Sequence, residues 1–121
     1  MRVLLVDDDP FQLMVVSNLF SKAGHAVSTA DSGATCLERL AEGNFLADPV
    51  ELMLLDFELG DTTAVGVVQT LRAGHPWLAG VQVIVMSGHS DDHLQLELRG
   101  LGVEAFWSKP VTIDRIGALG P

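Results

Sequence analysis

The sequence contains little cysteine, few aromatic residues and few basic residues. Its single cysteine, Cys36, cannot form an internal disulfide and stands among apolar residues at helical spacing, which favours a place in the core. With 6% aromatic and 19% charged residues, the composition is that of an ordinary globular domain and excludes disordered and fibrous classes. The 7 basic residues face 16 acidic ones, and a net charge of -9 repels nucleic acid and anionic membranes. We therefore expect a cationic partner, either a metal ion or a basic protein face.

Long hydrophobic runs are also missing. The apolar run at residues 3–6 is far shorter than the hydrophobic region of a secretory signal, and no uncharged stretch elsewhere is apolar enough to cross a bilayer. We therefore expect a cytoplasmic protein that does not bind membranes. A length of 121 residues fits one domain, which we place over residues 1–121, either as a complete regulator or as part of a longer protein.

Short runs rich in leucine and β-branched residues alternate with segments of helical period. The predicted strands lie near residues 2–6, 26–30, 50–55, 81–86 and 104–107. The first, third and fourth are nearly continuous apolar runs, which is typical of central strands covered on both faces. Five β-then-α units with right-handed crossovers predict an α/β fold: a three-layer, doubly wound (βα)5 domain with a five-stranded parallel sheet. Its helices are expected to begin at the capping residues Asp9, Asp31 or Ser32, Thr62 or Thr63, Ser90 and Thr112.

Four of the predicted strands lead into polar residues. These residues are Asp7 and Asp8 after the first strand, Asp56 after the third, Ser87 after the fourth and Lys109 after the fifth. Each one alone is typical of a turn, a helix cap or a solvated charge. In an open parallel sheet, however, ligands bind beyond the carboxyl ends of the strands, so all five side chains are expected at one site. Three carboxylates, a hydroxyl and an ammonium group are the parts needed to bind Mg²⁺ and transfer a phosphoryl group.

Four segments carry a resemblance to a known family. In order and spacing, LLVDDDP, LMLLDFELGD, VIVMSGHS and FWSKPV resemble the signatures of the receiver domain of two-component response regulators. The resemblance covers essentially the whole chain and implies a flavodoxin-like sheet with strand order 2-1-3-4-5. It also implies roles for the polar residues: Mg²⁺ binding by Asp7, Asp8, Asp56 and the backbone carbonyl of Glu58, phosphoryl acceptance by Asp56, phosphoryl contact by Lys109, and switching by Ser87 and Phe106.

These implied roles suit the residue types. A carboxylate is a weak nucleophile towards phosphorus, so a cation and the Lys109 ammonium are needed to neutralise the phosphoryl oxygens. Once Asp56 is phosphorylated, the Ser87 hydroxyl gains a strong acceptor and moves, which leaves space for Phe106 to turn inward. The resemblance implies a signalling domain that promotes only its own phosphoryl transfer and autodephosphorylation, and is otherwise not an enzyme.

The resemblance also implies partners for this chain. The phosphoryl donor would be a sensor histidine kinase or a histidine phosphotransfer protein. Phosphorylation would change the surface formed by the fourth helix, the fifth strand and the fifth helix, and a phosphorylation-dependent dimer is compatible with this. No direct binding of nucleic acid is expected from a domain of such negative charge.

The sequence departs from the family pattern after Asp56. Where the family usually reads Asp-x-x-Met-Pro-x-Met-Asp-Gly, Gly60 replaces the proline and Ala64 the final glycine. Glycine permits backbone angles that proline forbids, so we expect a more mobile loop and a less firmly placed Glu58 carbonyl.

Two other function classes remain open. Asp7-x-Asp9 after an apolar strand, with Lys109 later, also resembles haloacid dehalogenase-like phosphatases, in which Asp7 would be the nucleophile and Asp9 the general acid and base. That family expects a further strand ending in acidic residues after the lysine, and it leaves Asp56 without a role. The third class is a receiver-like interaction module that docks a partner without phosphate chemistry, and the intact set of polar residues argues against it.

Glu58 and His89 occupy positions that, in the resembled family, tune the lifetime of the acyl phosphate. We expect both side chains to affect access of the hydrolytic water, so Glu58→Ala and His89→Ala should each change the dephosphorylation rate. The measurement is the decay of the phosphorylated form by intact mass after donor removal. An unchanged rate in both variants would remove this hypothesis.

Overall fold

The computed structural model describes residues 1–41, 50–74, 81–88, 92–103 and 105–119. Within these segments the strands are β1 (Arg2–Val6), β2 (Ala26–Ala30), β3 (Leu52–Asp56), β4 (Gln82–Ser87) and β5 (Ala105–Ser108). The helices that alternate with them are α1 (Pro10–Lys22), α2 (Gly33–Ala41), α3 (Ala64–Gly74), α4 (Asp92–Gly100) and α5 (Ile113–Gly117). In the described part of the chain, every helix is too short or too polar to cross a membrane.

The five described strands form one parallel sheet in the order β2-β1-β3-β4-β5. This confirms the predicted order 2-1-3-4-5 and the central position of β1, β3 and β4. The chain adds β2 on one side of β1 and β3 on the other, so the strand order reverses between β1 and β3. A crevice at the carboxyl ends of these two strands is where such sheets bind ligands.

The predicted strands agree with the structure to within two residues, and the carboxyl ends of the three later strands all differ in the same way. Pairing continues one residue beyond the last apolar position of each of the three later strands: Asp56 pairs with Met86, and Ser87 with Ser108. A polar residue at the carboxyl end of a strand can keep its backbone in the ladder, because pairing depends on the peptide groups. Asp56 and Ser87 are therefore held by the sheet itself.

Capping residues begin the helices largely as predicted. The Asp9 carboxylate accepts the N–H of Phe11 at 2.9 Å, with Pro10 in the first turn of α1, and the Thr112 hydroxyl accepts the N–H of Arg115 at 3.4 Å. Of the two candidates for α2, Ser32 is the cap, since its hydroxyl accepts the N–H of Thr35 at 3.0 Å. Thr63 directly precedes α3, and the predicted cap Ser90 lies outside the described residues.

Two apolar clusters cover the two faces of the sheet. Alternate residues of β1 and β3 enter different clusters: Leu4 and Met53 pack with α2, α3 and α4, whereas Leu5 and Leu54 pack with α1 and α5. This arrangement confirms the three-layer architecture. Cys36 is fully buried in the first cluster, as predicted, and burial raises the pKa of its thiol to about 12.

Leu54→Ala is expected to lower the free energy of unfolding by about 2–5 kcal/mol, because it empties a fully buried site in the central strand. Met14→Ala is the control, since Met14 lies on α1 with 54% of its surface exposed and its truncation should cost within about 0.5 kcal/mol. Urea unfolding of both variants measures the difference. Equal losses would contradict this account of the core.

Candidate functional site

The three consecutive aspartates have three different surroundings. Asp7 is 3% exposed, its N–H donates to the Ala30 carbonyl at 3.1 Å, and its Oδ1 accepts the N–H of Asp9 at 2.9 Å. Asp8 is exposed, and the Asp9 carboxylate caps α1. The Asp9 carboxylate is occupied in capping its own helix. Of the three aspartates, Asp7 and Asp8 are therefore the ones available at the carboxyl edge of the sheet.

Lys109 connects two buried carboxylates. Its Nζ lies 3.0 Å from Asp56 Oδ1 and 3.3 Å from Asp7 Oδ2. Its backbone N–H donates to the Ser87 carbonyl at 3.1 Å, which ties the segment after β5 to the end of β4. The ammonium group thus spans the carboxyl ends of β1 and β3 although Lys109 follows β5, two strands away from β3.

At this edge of the sheet, the two carboxylates of Asp56 and Asp7 share the one ammonium group of Lys109. Burial raises the pKa of Asp56 to about 6; the Asp7 carboxylate adds to the rise, and the hydrogen bond from Lys109 opposes it. Burial by itself would lower the pKa of Lys109, but the Asp56 and Asp7 carboxylates outweigh it, and the net shift is upward. One ammonium group therefore stabilises two buried carboxylates incompletely, and further positive charge is favourable at this position.

The carboxylates of Asp7, Asp8 and Asp56 fit a hard divalent cation. One oxygen from each lies within 4.8 Å of the others, so a single ion can contact all three. Carboxylate oxygens are preferred ligands of Mg²⁺, which also retains several water ligands. Asp8 and Asp56 line an open cleft of about 240 Å³, which leaves space for those waters.

Of the remaining predicted site residues, two line this cleft and one lies on β5. Glu58 and Ser87 line the cleft together with Phe57, Gly88 and Lys109. Phe106 lies on β5 opposite Val85 and is half-buried, and the guanidinium Cζ of Arg99 lies 5.1 Å from the centre of its ring. Phe106 does not belong to the described lining of the cleft, and His89 lies outside the described residues.

Asp61 is a residue that the sequence analysis did not single out. Its two carboxylate oxygens accept the backbone N–H groups of Gly33 at 3.0 Å and Ala34 at 3.1 Å, at the start of α2. These hydrogen bonds hold the pKa of Asp61 below its usual range. The sequence offers no direct signal for this contact, because Ser32 already supplies a local cap for the same helix.

Comparisons with known proteins show the family of the chain. The family model of the response regulator receiver domain matches residues 3–119. The chain belongs to this family. KdpE, a transcriptional regulatory protein of Mycobacterium tuberculosis, is 30% identical over 112 residues, which make up 93% of this chain and 46% of that protein. This receiver domain therefore spans less than half the length of that relative.

Solved structures share the fold. The CheY-like receiver domain protein of Methanospirillum hungatei has a TM-score of 0.83 at 21% identity, with 98% of this chain and 88% of that chain covered. A Burkholderia pseudomallei response regulator, solved with a phosphorylated aspartic acid, a calcium ion and citrate, has a TM-score of 0.81 at 19% identity and covers 97% and 64% of the two chains. The predicted family and fold class are thus confirmed, and the chain is a receiver domain of two-component signalling.

Asp56→Asn is expected to raise the free energy of unfolding at pH 7, in metal-free buffer, by about 1–3 kcal/mol. An unfolded aspartate has a pKa of about 3.9, whereas Asp56 in the folded protein has a pKa of about 6. The cost of ionising it in the folded state therefore grows as the pH rises between these values and is complete above the higher one. Asparagine avoids this cost, so the gain should be large at pH 7 and vanish below pH ~4.

Urea unfolding in the presence of a chelator, at a series of pH values, measures this gain. Asp114→Asn is the matched control, because Asp114 is an exposed carboxylate in the first turn of α5. Its free energy of unfolding, relative to the wild type, should not increase as the pH rises. If Asp56→Asn raised the free energy of unfolding equally at the lowest and the highest pH, the ionisation of Asp56 would not be the cause of the effect, and this account of the site would be contradicted.

Proposed function

We propose that this receiver domain accepts a phosphoryl group on Asp56, with Mg²⁺ held by Asp7, Asp8 and Asp56 and by the backbone carbonyl of Glu58. The observation that carries the proposal is the position of the Lys109 ammonium, 3.0 Å from Asp56 Oδ1 at the cleft. The ammonium contacts two buried carboxylates, those of Asp56 and Asp7, and the Asp8 carboxylate lies close to both. This arrangement suits phosphoryl transfer better than simple charge pairing. The phosphorylated aspartic acid in the Burkholderia pseudomallei response regulator supports it by analogy of fold.

Asp56 has the properties of a phosphoryl acceptor. It is only 7% exposed, yet it lines the cleft, and its backbone is held in the β3–β4 ladder opposite Met86. A pKa of about 6 leaves most of its carboxylate ionised at pH 7, so the oxygen is available for attack. In the transfer, an Asp56 oxygen bonds to phosphorus as the phosphorus–nitrogen bond of a phosphohistidine breaks, and the imidazole leaves.

The negative charge of the phosphoryl oxygens is balanced by the Lys109 ammonium group and by the Mg²⁺ that the acidic residues would hold. The ammonium group can move from Asp7 to the phosphoryl oxygens with little displacement, because it already contacts the acceptor. Mg²⁺, when bound, supplies the additional positive charge that these oxygens require. The donor is proposed to be a sensor histidine kinase or a histidine phosphotransfer protein, as receiver domains of two-component signalling imply.

Ser87 and Phe106 are proposed as the switch. Ser87 lines the cleft at the end of β4, and Phe106 lies on the adjacent strand β5, so a movement of the hydroxyl towards a phosphoryl group occurs next to the strand that carries the ring. The resulting change would appear on the surface of α4, β5 and α5. Glu58, which lines the same cleft, is proposed to influence autodephosphorylation.

The test is intact mass after incubation with a small-molecule phosphodonor, with and without Mg²⁺. We expect one Mg²⁺-dependent phosphoryl adduct on the wild type, its loss in Asp56→Asn and its strong reduction in Asp7→Asn, because the latter removes one carboxylate of the cation site. The control Asp114→Asn changes an exposed carboxylate on α5 and should retain the adduct.

The other outcomes separate the alternatives. An adduct that requires Asp7 and survives the loss of Asp56 would support the phosphatase hypothesis. If neither the small-molecule donor nor a phosphorylated histidine protein gives an adduct, the interaction module would be the better description.

A further inference from the structure

The segment between β3 and α3, residues 57–63, carries the departure from the family pattern and is called here the β3–α3 loop. Gly60 adopts φ +79, in the left-handed region that glycine accepts readily and that the ring of proline forbids. A proline at this position is therefore incompatible with the observed backbone. The loop must be held by other contacts.

Local contacts fold the loop back on itself. Glu58 and Thr63 form an isolated antiparallel bridge, and the N–H of Leu59 donates to the Thr62 carbonyl at 3.0 Å. The Leu59 side chain is buried in the larger apolar cluster. The loop also approaches the acidic site, since a Cβ built on Gly60 would lie 3.5 Å from Asp8 Oδ2. The position of the loop therefore determines how closely its backbone approaches Asp8 and where Glu58 lies.

A second set of contacts fastens the loop to α2. The first N–H groups of a helix have no partner within the helix. In α2, the Ser32 hydroxyl accepts the N–H of Thr35, while the first two N–H groups, those of Gly33 and Ala34, donate to the Asp61 carboxylate. A carboxylate is favoured at this end of the helix dipole. One end of α2 is thus capped by a residue that belongs to the next βα unit.

Steric contacts reinforce this attachment. A Cβ on Gly33 would overlap the Thr62 methyl group, and a Cβ on Gly66 would overlap the Thr62 hydroxyl. The Thr62 side chain therefore lies against α2 and α3 at two places where a glycine leaves the space. Asp61 and Thr62 together join the loop to both helices.

From these contacts we propose that Asp61 is a positioning residue, which anchors the β3–α3 loop on α2 and thereby maintains the affinity of the acidic site for Mg²⁺. The inference rests on the proposed phosphoacceptor function. Asp61 acts through Glu58, three residues away, and through the approach of Gly60 to Asp8. In this chain, a side-chain anchor does what a proline would otherwise do, which is to limit the movement of a loop beside the cation.

The matched control is Ser32→Ala. Ser32 and Asp61 cap the same end of α2, but Ser32 makes its hydrogen bonds within its own helix and Asp61 makes them from the loop. Loss of either side chain weakens the start of α2. Only the loss of Asp61 also releases the loop.

The experiment measures the dissociation constant for Mg²⁺ by calorimetry on the unphosphorylated domain, and the Mg²⁺ dependence of phosphorylation by a small-molecule donor. Asp61→Ala should weaken Mg²⁺ binding about 3–10-fold, somewhat less than direct support of a ligand, and Asp61→Asn by an intermediate factor. Ser32→Ala should stay within about twofold of the wild type. At saturating Mg²⁺, all variants should reach the wild-type rate.

A metal-free measurement separates anchoring from metal binding. Amide hydrogen exchange of Leu59 and Ala64, whose N–H groups donate to Thr62 and Phe57, should accelerate in Asp61→Ala and remain slow in Ser32→Ala. Wild-type Mg²⁺ affinity in Asp61→Ala, or equal losses in Asp61→Ala and Ser32→Ala, would overturn the proposal. If Asp61→Ala does not fold, the same criteria apply to Asp61→Asn. Absence of an adduct on the wild type, with Mg²⁺ affinities that still differ, would count against the phosphoacceptor function alone.

Discussion

The contact of one ammonium group with two buried carboxylates is the constraint around which this receiver domain is organised. Asp7 and Asp56 end or follow adjacent strands, so the sheet forces their negative charges together, and Lys109 lies within 3.3 Å of both. The compensation is incomplete, as the raised pKa of Asp56 indicates. The repulsion between the two carboxylates lowers the stability of the fold, and the same excess of negative charge favours binding of a divalent cation.

The sheet can sustain this crowding because its centre is rigid. β3 is buried along its whole length, and apolar residues of β1, β3 and β4 enter clusters on both faces. Close packing keeps the carboxyl ends of these strands in register, so the charged groups cannot separate without disrupting the core. The free energy of packing in the two clusters therefore offsets the repulsion between carboxylates at the sheet edge, as is common for functional sites.

The loops around the edge are held by specific polar contacts. Asp9 fixes the start of α1, and Asp61 connects the β3–α3 loop to the start of α2. The expectation that Gly60 makes this loop more mobile remains a prediction about dynamics. The contacts of Leu59, Asp61 and Thr62 nevertheless show an anchored loop, whose attachment depends on glycines in two helices. The departure from the family pattern thus changes how the loop is held rather than whether it is held.

Local sequence patterns predicted the alternation of strands and helices, the central strands, most caps, and the set of polar residues at the carboxyl ends. Those features depend on residues a few positions apart, where periodicity and capping act. Strand order came from the family resemblance. Three features became visible only in the folded chain: Lys109 reaches Asp7 and Asp56, Asp56 belongs to β3, and Asp61 caps α2. These contacts join residues far apart in the chain, so their distances follow from how the buried strands and helices pack, which no local pattern encodes.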